Sequence, residues 1–380
     1  MKHDCVPLAD ILTRSNEPIL LDVANSYKEV TVRLWGKGVL FRGGFQGADR
    51  AGQKRCMVRA GQLILSRIDA RNGAIGVVPR ELDGAVVTND FPVYKVDPTK
   101  ALPEYIGWLT KTRDFVDHCS AASEGTTNRV RLKESGLLAI HIDLPPLAEQ
   151  RRIVARIEEL AGKIEDARCL KREIEAGLRA CLFSEFANLT AHAPLKPMRE
   201  IAPVVRRKVD LSMHGEYPEL GIRSFGKGTF HKPAISGASV QKKLYRIEPG
   251  DLVFNNVFAW EGAVAVARLE DAGRVGSHRF ITCVPRSNLA TAKLLSFYLL
   301  TPEGLQKLGE ASPGGAGRNR TLGLKALEEI AVPVPPIDKQ VRFDGLQQRV
   351  ENLRCLDSES AAELDALLPA ILDKAFKGEL

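Results

Sequence analysis

The chain has 380 residues, a formal net charge of +7 and 44% hydrophobic residues, which is enough material for two or three domains with cores of their own. No apolar run approaches the roughly 18 residues that a membrane span requires, and the first residues lack the apolar centre of a signal peptide. We therefore exclude a membrane protein and expect a cytoplasmic one. The seven cysteines form no C-x-x-C pair, so we expect reduced and mostly buried thiols.

Residues 1–145 read as one α+β domain. Short apolar runs bounded by Gly and Pro predict strands over Leu63–Leu65, Ala74–Val78 and Phe91–Val96. A helix is predicted over Pro103–His118, and a polar loop and a last apolar run follow it. The basic excess of the chain lies entirely here and in residues 191–335, while the remaining segments are neutral to acidic, which suits a polyanionic partner for the globular segments.

Residues 146–190 predict one long amphipathic helix, which starts after Pro145-Pro146 and runs to about Phe186. Apolar residues recur in steps of three and four along it, with charges on the other faces. The stripe includes Ile153, Ile157, Leu160, Ile164, Ile174 and Leu178. A helix of about 40 residues with such a stripe needs a partner to be stable.

Residues 191–335 repeat the first domain. Strands are predicted over Leu252–Phe254, Ala263–Ala267 and Phe280–Val284, followed by a helix over Ala290–Leu308 that is interrupted at Pro302. A second polar loop follows this helix.

Residues 336–380 predict a second long helix, which also begins at a Pro-Pro pair, and Gln340 stands where the first helix has Gln150. Its stripe includes Leu346, Val350, Leu353, Leu364, Leu368 and Ile371. The two stripes can cover each other, so we predict an intramolecular, antiparallel coiled coil.

The correspondence extends beyond the helices at a nearly constant offset of about 190 residues. Tyr27–Gly38 aligns with Tyr217–Gly228, and Gly73-Ala74 aligns with Gly262-Ala263. Chance does not hold such a register over a whole domain, so the chain consists of two copies of one module.

Four stretches of this sequence resemble the specificity subunits of type I restriction-modification systems, and the resemblance spans essentially the whole chain. They are residues 144–153, the ending Leu372–Leu380, and residues 67–74 and 88–92 of the first copy. The second Pro-Pro motif departs from the pattern, with Asp338 and Lys339 where the first has Ala148 and Glu149. The resemblance implies two target-recognition domains separated by two long antiparallel coiled-coil helices. It also implies double-stranded DNA, two methyltransferase subunits and restriction subunits as partners.

The residues themselves argue against catalysis. Gly221–Gly228 comes close to a phosphate-binding loop, but Gly228 follows Lys227 where Ser or Thr is needed to hold Mg²⁺. No Asn-Pro-Pro-aromatic signature, His/Cys cluster of metal spacing or G-x-S-x-G motif is present. We therefore predict no catalytic residue, no metal and no cofactor.

DNA recognition requires side chains with planar, bidentate hydrogen-bonding ends at base edges and cations at phosphates. In the first copy we expect such contacts from Arg67, Arg71, Asn72, Asn89, Thr127, Asn128 and Arg129. In the second copy we expect them from Lys227, Asn255, Asn256, Trp260, His278, Arg279, Arg318, Asn319 and Arg320. Each residue also has a structural interpretation, because Asn is a common turn residue and aromatic side chains usually belong to cores.

Three hypotheses follow for the function. The first is a non-catalytic DNA-specificity subunit that binds an asymmetric, bipartite double-stranded site. The second is a coiled-coil scaffold whose globular ends bind other proteins. The third, a self-contained DNA-modifying enzyme, needs a methyl-donor or nuclease motif that the sequence lacks. Salt-dependent affinity for DNA distinguishes the first from the second.

Overall fold

The computed structural model describes residues 4–50, 52–124, 130–315 and 320–380. They form two compact units, the first made of Met1–Arg172 and Asp357–Leu380 and the second of Glu173–Leu356. Each unit therefore combines one globular domain with part of each long helix. Strands and helices are mixed in both, so the predicted α+β class is confirmed.

The strands of unit 1 are short apart from one long hairpin. They are β1 (Asp4–Pro7), β2 (Leu12–Ser15), β3 (Pro18–Ile19), β4 (Ser26–Arg33), β5 (Gly38–Gln46), β6 (Arg55–Met57), β7 (Leu63–Leu65), β8 (Ile75–Val77), β9 (Val86–Val87), β10 (Val93–Val96), β11 (Ser123–Glu124), β12 (Arg131–Leu132) and β13 (His141–Leu144). The order β3-β6-β9-β4-β5 forms one sheet and β2-β10-β7-β8 another, while β1 pairs with β13. The predicted strands at β7, β8 and β10 are confirmed.

The strands of unit 2 reproduce this plan. They are β14 (Leu195–Pro197), β15 (Glu216–Ile222), β16 (Thr229–Ser236), β17 (Leu244–Arg246), β18 (Leu252–Asn255), β19 (Val264–Val266), β20 (Val275–Ser277), β21 (Phe280–Cys283) and β22 (Ala331–Pro333). The sheet orders are β16-β15-β20-β17 and β19-β18-β21, and β14 pairs with β22. The hairpins β4-β5 and β15-β16 even share a register irregularity in their first strands, at Glu29/Val30 and at Pro218/Leu220.

The helices are α1 (Pro103–Leu109), α2 (Arg113–Ala121), α3 (Glu134–Leu138), α4 (Leu147–Thr190), α5 (Met198–Ile201), α6 (Ala292–Leu299), α7 (Pro302–Glu310), α8 (Leu324–Glu328) and α9 (Ile337–Phe376). The interruption at Pro302 is confirmed, but the helix that we predicted over Pro103–His118 is also divided. There the hydroxyl of Thr112 accepts a hydrogen bond from the amide of Phe115 at 3.3 Å and starts a new helix. Thr301 caps the equivalent helix of unit 2.

The long helices pair antiparallel within each unit. In unit 1, Arg152 donates a hydrogen bond to the Leu380 carbonyl at 3.0 Å, and Arg168 donates one to Asp365 at 2.7 Å. In unit 2, Arg354 and Glu175 form an ion pair at 2.7 Å. In unit 2 the Phe186 and Phe343 rings also lie 5.8 Å apart. In each unit, residues further along α4 therefore meet residues earlier in α9, as the predicted antiparallel orientation requires.

The apolar stripes pack mainly where a globular domain lies beside them. Of the predicted stripe residues, Ile153, Ile157, Ile164 and Val350 are buried, and Leu160, Leu178, Leu346, Leu364, Leu368 and Ile371 are half-buried. Ile174 and Leu353, in contrast, are 59% and 51% exposed. Periodicity indicates which residues share a face, whereas burial depends on what covers that face.

α9 contains a proline that the sequence analysis did not take into account. Pro369 lies within the helix and has no amide hydrogen to donate to the carbonyl of Asp365, four residues earlier. Both residues are exposed, so water can bind the carbonyl instead.

The thiols differ from the expectation. Two of the seven cysteines, Cys119 and Cys283, are buried, and burial raises the pKa of each thiol to about 12. Cys5, Cys169, Cys181 and Cys355 are exposed, so the prediction of mostly buried thiols is wrong. Across the described ranges, no helix combines the length and apolar character needed to cross a membrane.

A buried glutamine fastens each long helix to its domain. Gln150 is 0% exposed; its amide donates to the carbonyls of Lys100 and Pro145 at 2.8 Å and accepts from the Leu102 amide at 2.8 Å. Both amide hydrogens and the amide oxygen are therefore used. The segment before α1 is thereby tied to the first turn of α4.

Gln340 makes the same three bonds in unit 2. It is also 0% exposed, donates to the carbonyls of Leu289 and Pro335 at 2.9 and 2.7 Å, and accepts from the Thr291 amide at 3.0 Å. These contacts explain why the two Pro-Pro motifs share a glutamine at the same position.

We expect Gln340→Leu to lower the free energy of unfolding of unit 2 by about 3 kcal/mol or more, because it leaves two carbonyls and one amide without partners in a buried site. Gln306→Leu is the matched control, since Gln306 is exposed on α7. Calorimetric unfolding measures the difference. Equal loss in the two variants would contradict a fastening role for Gln340.

Candidate nucleic-acid interface

Each unit has a tight turn at the end of its long hairpin. We call Leu34–Gly38 the first tip and Ser224–Gly228 the second tip. Trp35 has φ 61° and Phe225 has φ 63°, and the next residue of each turn is a glycine with φ 66° or 65°. Two successive positive φ angles are the pattern of a type I′ hairpin turn.

Backbone hydrogen bonds join each tip to a one-turn 3-10 helix, Ala70–Asn72 or Ala259–Glu261, or to the residue after it, in the loop that follows β7 or β18. The Trp35 amide donates to the Asn72 carbonyl at 2.8 Å, and the Gly36 amide donates to the Gly73 carbonyl at 3.1 Å. In unit 2 the Phe225 amide donates to the Glu261 carbonyl at 2.8 Å. The tips thus lie directly beside the loops that contain the candidate recognition residues.

Two further loops are hydrogen-bonded, at equivalent backbone positions, to the loop that follows β7 or β18. In unit 1 the Arg67 amide donates to the Asp90 carbonyl at 3.0 Å, and the Leu132 amide donates to the Arg67 carbonyl at 2.9 Å. We define the first loop cluster as residues 34–38, 66–73, 88–91 and 130–132.

In unit 2 the Asn256 amide donates to the Arg279 carbonyl at 2.8 Å, and the Leu322 amide donates to the Asn256 carbonyl at 2.8 Å. The second loop cluster comprises residues 224–228, 255–262, 277–280 and 320–322. In each unit the backbone therefore brings together the separate segments that the sequence analysis had selected.

The candidates of the first loop cluster have different degrees of exposure. Arg67, Arg71 and Asn72 are half-buried and Asn89 is exposed, its side-chain oxygen 3.7 Å from the Cys56 sulfur. To the described part of the chain, Arg71 makes no side-chain hydrogen bond or ion pair, so its guanidinium keeps its donors for a ligand. The candidates Thr127, Asn128 and Arg129 lie outside the described residues.

Two candidates of the second loop cluster are used within the domain. The indole N–H of Trp260 donates to the Val257 carbonyl at 2.9 Å, and the guanidinium of Arg320 lies 4.9 Å from the centre of the Trp260 ring. Arg320 also donates to the Gly309 carbonyl at 2.8 Å. These contacts favour a structural role for both side chains. The Trp260 side chain stabilises its own loop, and the Arg320 guanidinium covers the Trp260 ring.

The other candidates of this cluster are more open. Lys227, His278 and Arg279 are exposed, whereas the side-chain oxygen of Asn255 accepts from the Val257 amide at 3.1 Å. The side-chain oxygen of Asn256 is buried and has no hydrogen-bond partner among the described residues. Such an atom is costly unless water or a ligand reaches it. The candidates Arg318 and Asn319 lie outside the described residues.

Three members of the clusters were missed as site residues. Trp35 and Phe225 are 72% and 74% exposed, and Lys37 is exposed on the first tip as Lys227 is on the second. The available signal was the motif aromatic-Gly-Lys-Gly at the same register in both copies. In the first copy it served only as evidence for the repeat, and in the second it was compared with a phosphate-binding loop and gave Lys227 as a candidate.

A groove of about 1130 Å³ opens beside the second tip within unit 2. Phe225 and Lys227 line it, together with Arg179 of α4, Lys293 of α6 and Glu351 of α9. Cations outnumber carboxylates along its described lining, which suits an anionic ligand. Among the residues that the structure describes, no group of three or more His, Cys, Asp or Glu side chains could hold a metal ion.

No protein-family model and no curated protein matches the chain. Solved structures do match it, among them the following three, each over nearly its full length. The HsdS subunit from Thermoanaerobacter tengcongensis is 24% identical, with a TM-score of 0.58, 100% of this chain and 97% of that one covered. A structure reported on complex assembly and conformational transition of the type I R-M system is 23% identical, with a TM-score of 0.71 and coverage of 99% and 98%.

The third is the S subunit of a type I restriction-modification system from M. genitalium, 13% identical, with a TM-score of 0.50 and coverage of 98% and 96%. At these identities the likeness establishes the fold. The chain has the architecture of these subunits, with two α+β domains and two long helices.

The attachment of the first tip can be tested at Gly73. Its φ is 74° and a Cβ there would lie 3.2 Å from the Gly36 nitrogen, whereas Gly84 has φ 75° with open space around it. We expect Gly84→Ala to cost about 1–2 kcal/mol from backbone strain alone, and Gly73→Ala to cost more and to displace the tip. Hydrogen exchange at the Trp35 and Gly36 amides should accelerate only in the Gly73 variant. Unchanged exchange there would show that this contact does not hold the tip.

Proposed function

We propose that this chain is the DNA-specificity subunit of a type I restriction-modification system. It binds an asymmetric, bipartite double-stranded DNA site, one domain to each half, and it performs no catalysis itself. The observation that carries the proposal is the pair of loop clusters, which have equivalent backbone hydrogen bonds but different side chains. A protein that reads two different half-sites needs this combination.

The chemistry of the two clusters suits this task. The first presents Arg67, Arg71 and Asn72, whose planar ends match the hydrogen-bonding edges of guanine and adenine in the major groove. The second has Asn256 at the position of Arg67 and Glu261 at the position of Asn72. Equivalent positions therefore offer different donors and acceptors, so the two half-sites should differ in sequence.

Exposed cations surround the candidate reading positions. Lys37 belongs to the first cluster, and Lys227 and Arg279 belong to the second. Cations at the edge of a reading surface position the protein on the phosphates and supply most of the non-specific affinity.

The proposed partners are two methyltransferase subunits, one for each half-site, and restriction subunits. One structure with this fold concerns complex assembly of the type I R-M system, which supports a role within a larger complex. The methyl donor would bind to the methyltransferase subunits, in keeping with the lack of donor and metal motifs in this sequence. Because the DNA substrate would be the chromosome of the host, the complex would act in the cytoplasm.

The central experiment has two parts. We expect the affinity of the chain for duplex DNA to fall with salt, with a log–log slope of roughly −0.9 per neutralised phosphate. Sequencing of methylated adenine in a host that carries this chain and its methyltransferase subunit should then give one bipartite, non-palindromic site. A palindromic site would contradict the distinct reading of the two halves, and salt-insensitive or absent DNA binding would favour the protein scaffold.

Arg71→Ala should weaken binding at the first half-site only, by about 1–3 kcal/mol, because it removes one bidentate base contact. Arg80→Ala is the control, since Arg80 is an exposed arginine that lies beyond the opposite end of β8. Affinity is measured on duplexes with each half-site altered in turn. Equal loss on every duplex would make Arg71 a phosphate contact, and no loss would remove it from the interface.

The length of the long helices should set the unread spacer between the half-sites. An insertion within Phe183–Leu189 would disturb the core of unit 2, because this segment includes the buried Phe186. Four residues added after Arg172 and four after Leu356 avoid this core and extend both antiparallel helices equally. They add about 6 Å and about 40° of rotation, close to one or two base pairs of a duplex with about 35 Å and about 10.5 pairs per turn.

We therefore expect the insertion variant to methylate the same half-sites with a spacer longer by one or two base pairs. The variant with an insertion in α4 alone is the control and should lose activity on all spacers. Mapping of methylated sites gives the result. Activity on the original spacing would show that the helices do not determine the distance.

A further inference from the structure

We propose that Trp35 and Phe225 are base-stacking residues, and that each presents its ring to the bases of one half-site from the tip of its hairpin. The inference rests on the proposed function and adds two DNA-binding residues to it. It is carried by the backbone conformation, the exposure and the electrostatic surroundings of the two rings.

The backbone at both positions is unfavourable for an aromatic residue. Trp35 and Phe225 are, in the described ranges, the residues other than glycine that have positive φ. Their turns favour Asn, Asp or Gly at this position, and a bulky side chain is a conformational outlier there. A fold that needed only a tight turn would be better served by Asn. Both copies nevertheless have an aromatic residue, so the ring has a role other than forming the turn.

The rings do not contribute to the cores. Trp35 is 72% and Phe225 is 74% exposed, more than any other aromatic side chain in the part of the chain that the structure describes; Phe41, the next, is 57% exposed. Neither belongs to the buried clusters of its unit. Aromatic side chains usually bury most of their surface, so an exposed ring that recurs in both copies indicates a binding surface.

The surroundings select the kind of partner. On the first tip the ring lies in sequence between the exposed cations Arg33 and Lys37. On the second tip Arg223 and Lys227 take the same places, and the Lys227 ammonium lies 6.0 Å from the centre of the Phe225 ring. An exposed aromatic side chain with basic residues two positions before and two positions after it in the sequence matches a ligand that offers flat π surfaces along a line of negative charge. Nucleic acid has this chemistry.

The tips that carry the rings lie beside the loops with the candidate base-contacting residues, so base stacking and base recognition would take place next to each other. The Trp35 amide is bonded to the carbonyl of Asn72, next to Arg71, and the Phe225 amide is bonded to that of Glu261. The backbone that carries each ring is therefore held beside the loop that differs between the two copies. A ring wedged at a base step there would favour steps that unstack easily and would hold the reading side chains at their base edges.

The experiment replaces each ring with a residue that suits the turn. Trp35→Asn and Phe225→Asn should fold normally with an unchanged or higher Tm, because Asn accepts positive φ. Binding is measured with the full-length chain, alone and with its methyltransferase subunits, on a fluorescein-labelled duplex that has the mapped methylation site. We expect roughly ten- to hundred-fold weaker binding for each variant, in line with the loss of one base–aromatic stack.

Two controls separate stacking from charge. Trp35→Phe keeps a ring and should retain most of the affinity. Lys37→Gln, on the same tip, should reduce the salt slope by about one, whereas Trp35→Asn should leave the slope unchanged because no phosphate contact is lost.

Three results would overturn the inference. A wild-type chain that binds the duplex with salt dependence, together with Asn variants of equal affinity, would refute stacking while leaving the proposed function intact. Normal DNA affinity with loss of methyltransferase co-purification would show that the rings contact a protein. Asn variants that fail to fold would show that the rings are needed for the turns. A wild-type chain without DNA affinity would refute the proposed function itself.

Discussion

The attachment of each long helix to its domain depends on one buried side chain. Gln150 and Gln340 lie at 0% exposure, and each is hydrogen-bonded to three backbone groups. Two of these groups belong to the segment before α1 or α6, and the third is the carbonyl of the first proline before the long helix. A carbonyl at a Pro-Pro corner has few alternatives for a hydrogen bond, since proline offers no amide hydrogen nearby. With the glutamine in place, the first turn of the helix and the domain move together. Within each unit, the loop cluster then keeps a fixed relation to its part of the helices.

The two copies share the backbone hydrogen bonds of the site but differ in its side chains. Backbone hydrogen bonds join the tip, the 3-10 turn and the neighbouring loops in both units, and backbone groups are the same whatever the side chain. Side chains at equivalent positions can therefore change freely, as from Arg71 to Trp260. The residues that pack beneath the tips differ as well: Lys111 packs against Gly36 of the first tip, and Leu300 packs against Gly226 of the second. Burial lowers the pKa of Lys111, whose ammonium lies 3.9 Å from the Trp108 ring.

Much of this organisation could be predicted from the sequence, because the repeat, the Pro-Pro helix starts and the apolar runs are local signals. The long hairpins could not, since the burial pattern of β4 loses its alternation at Glu29 and Val30, which are both buried, and its tip has a tryptophan where turn rules favour Asn or Gly. The role of Trp260 was equally hidden. Its partners, Val257 and Arg320, come from different loops, so only the folded chain shows that the ring is covered. Ile174 and Leu353 are exposed for a similar reason, because periodicity does not say where a domain ends.

The antiparallel helices also make each copy complete the core of the other. Leu372 and Ala375, at the end of the second helix, are buried with residues of the first domain, where the Phe376 ring lies 5.2 Å from that of Tyr105. In unit 2 the corresponding end of the first helix supplies Phe186, whose ring lies 5.0 Å from that of Phe297. The core of each unit therefore includes residues of both copies. Because both copies belong to one chain, this exchange is intramolecular and independent of concentration. The linkage leaves the loop clusters free to diverge, since the residues that join the copies are those of the helices and the cores.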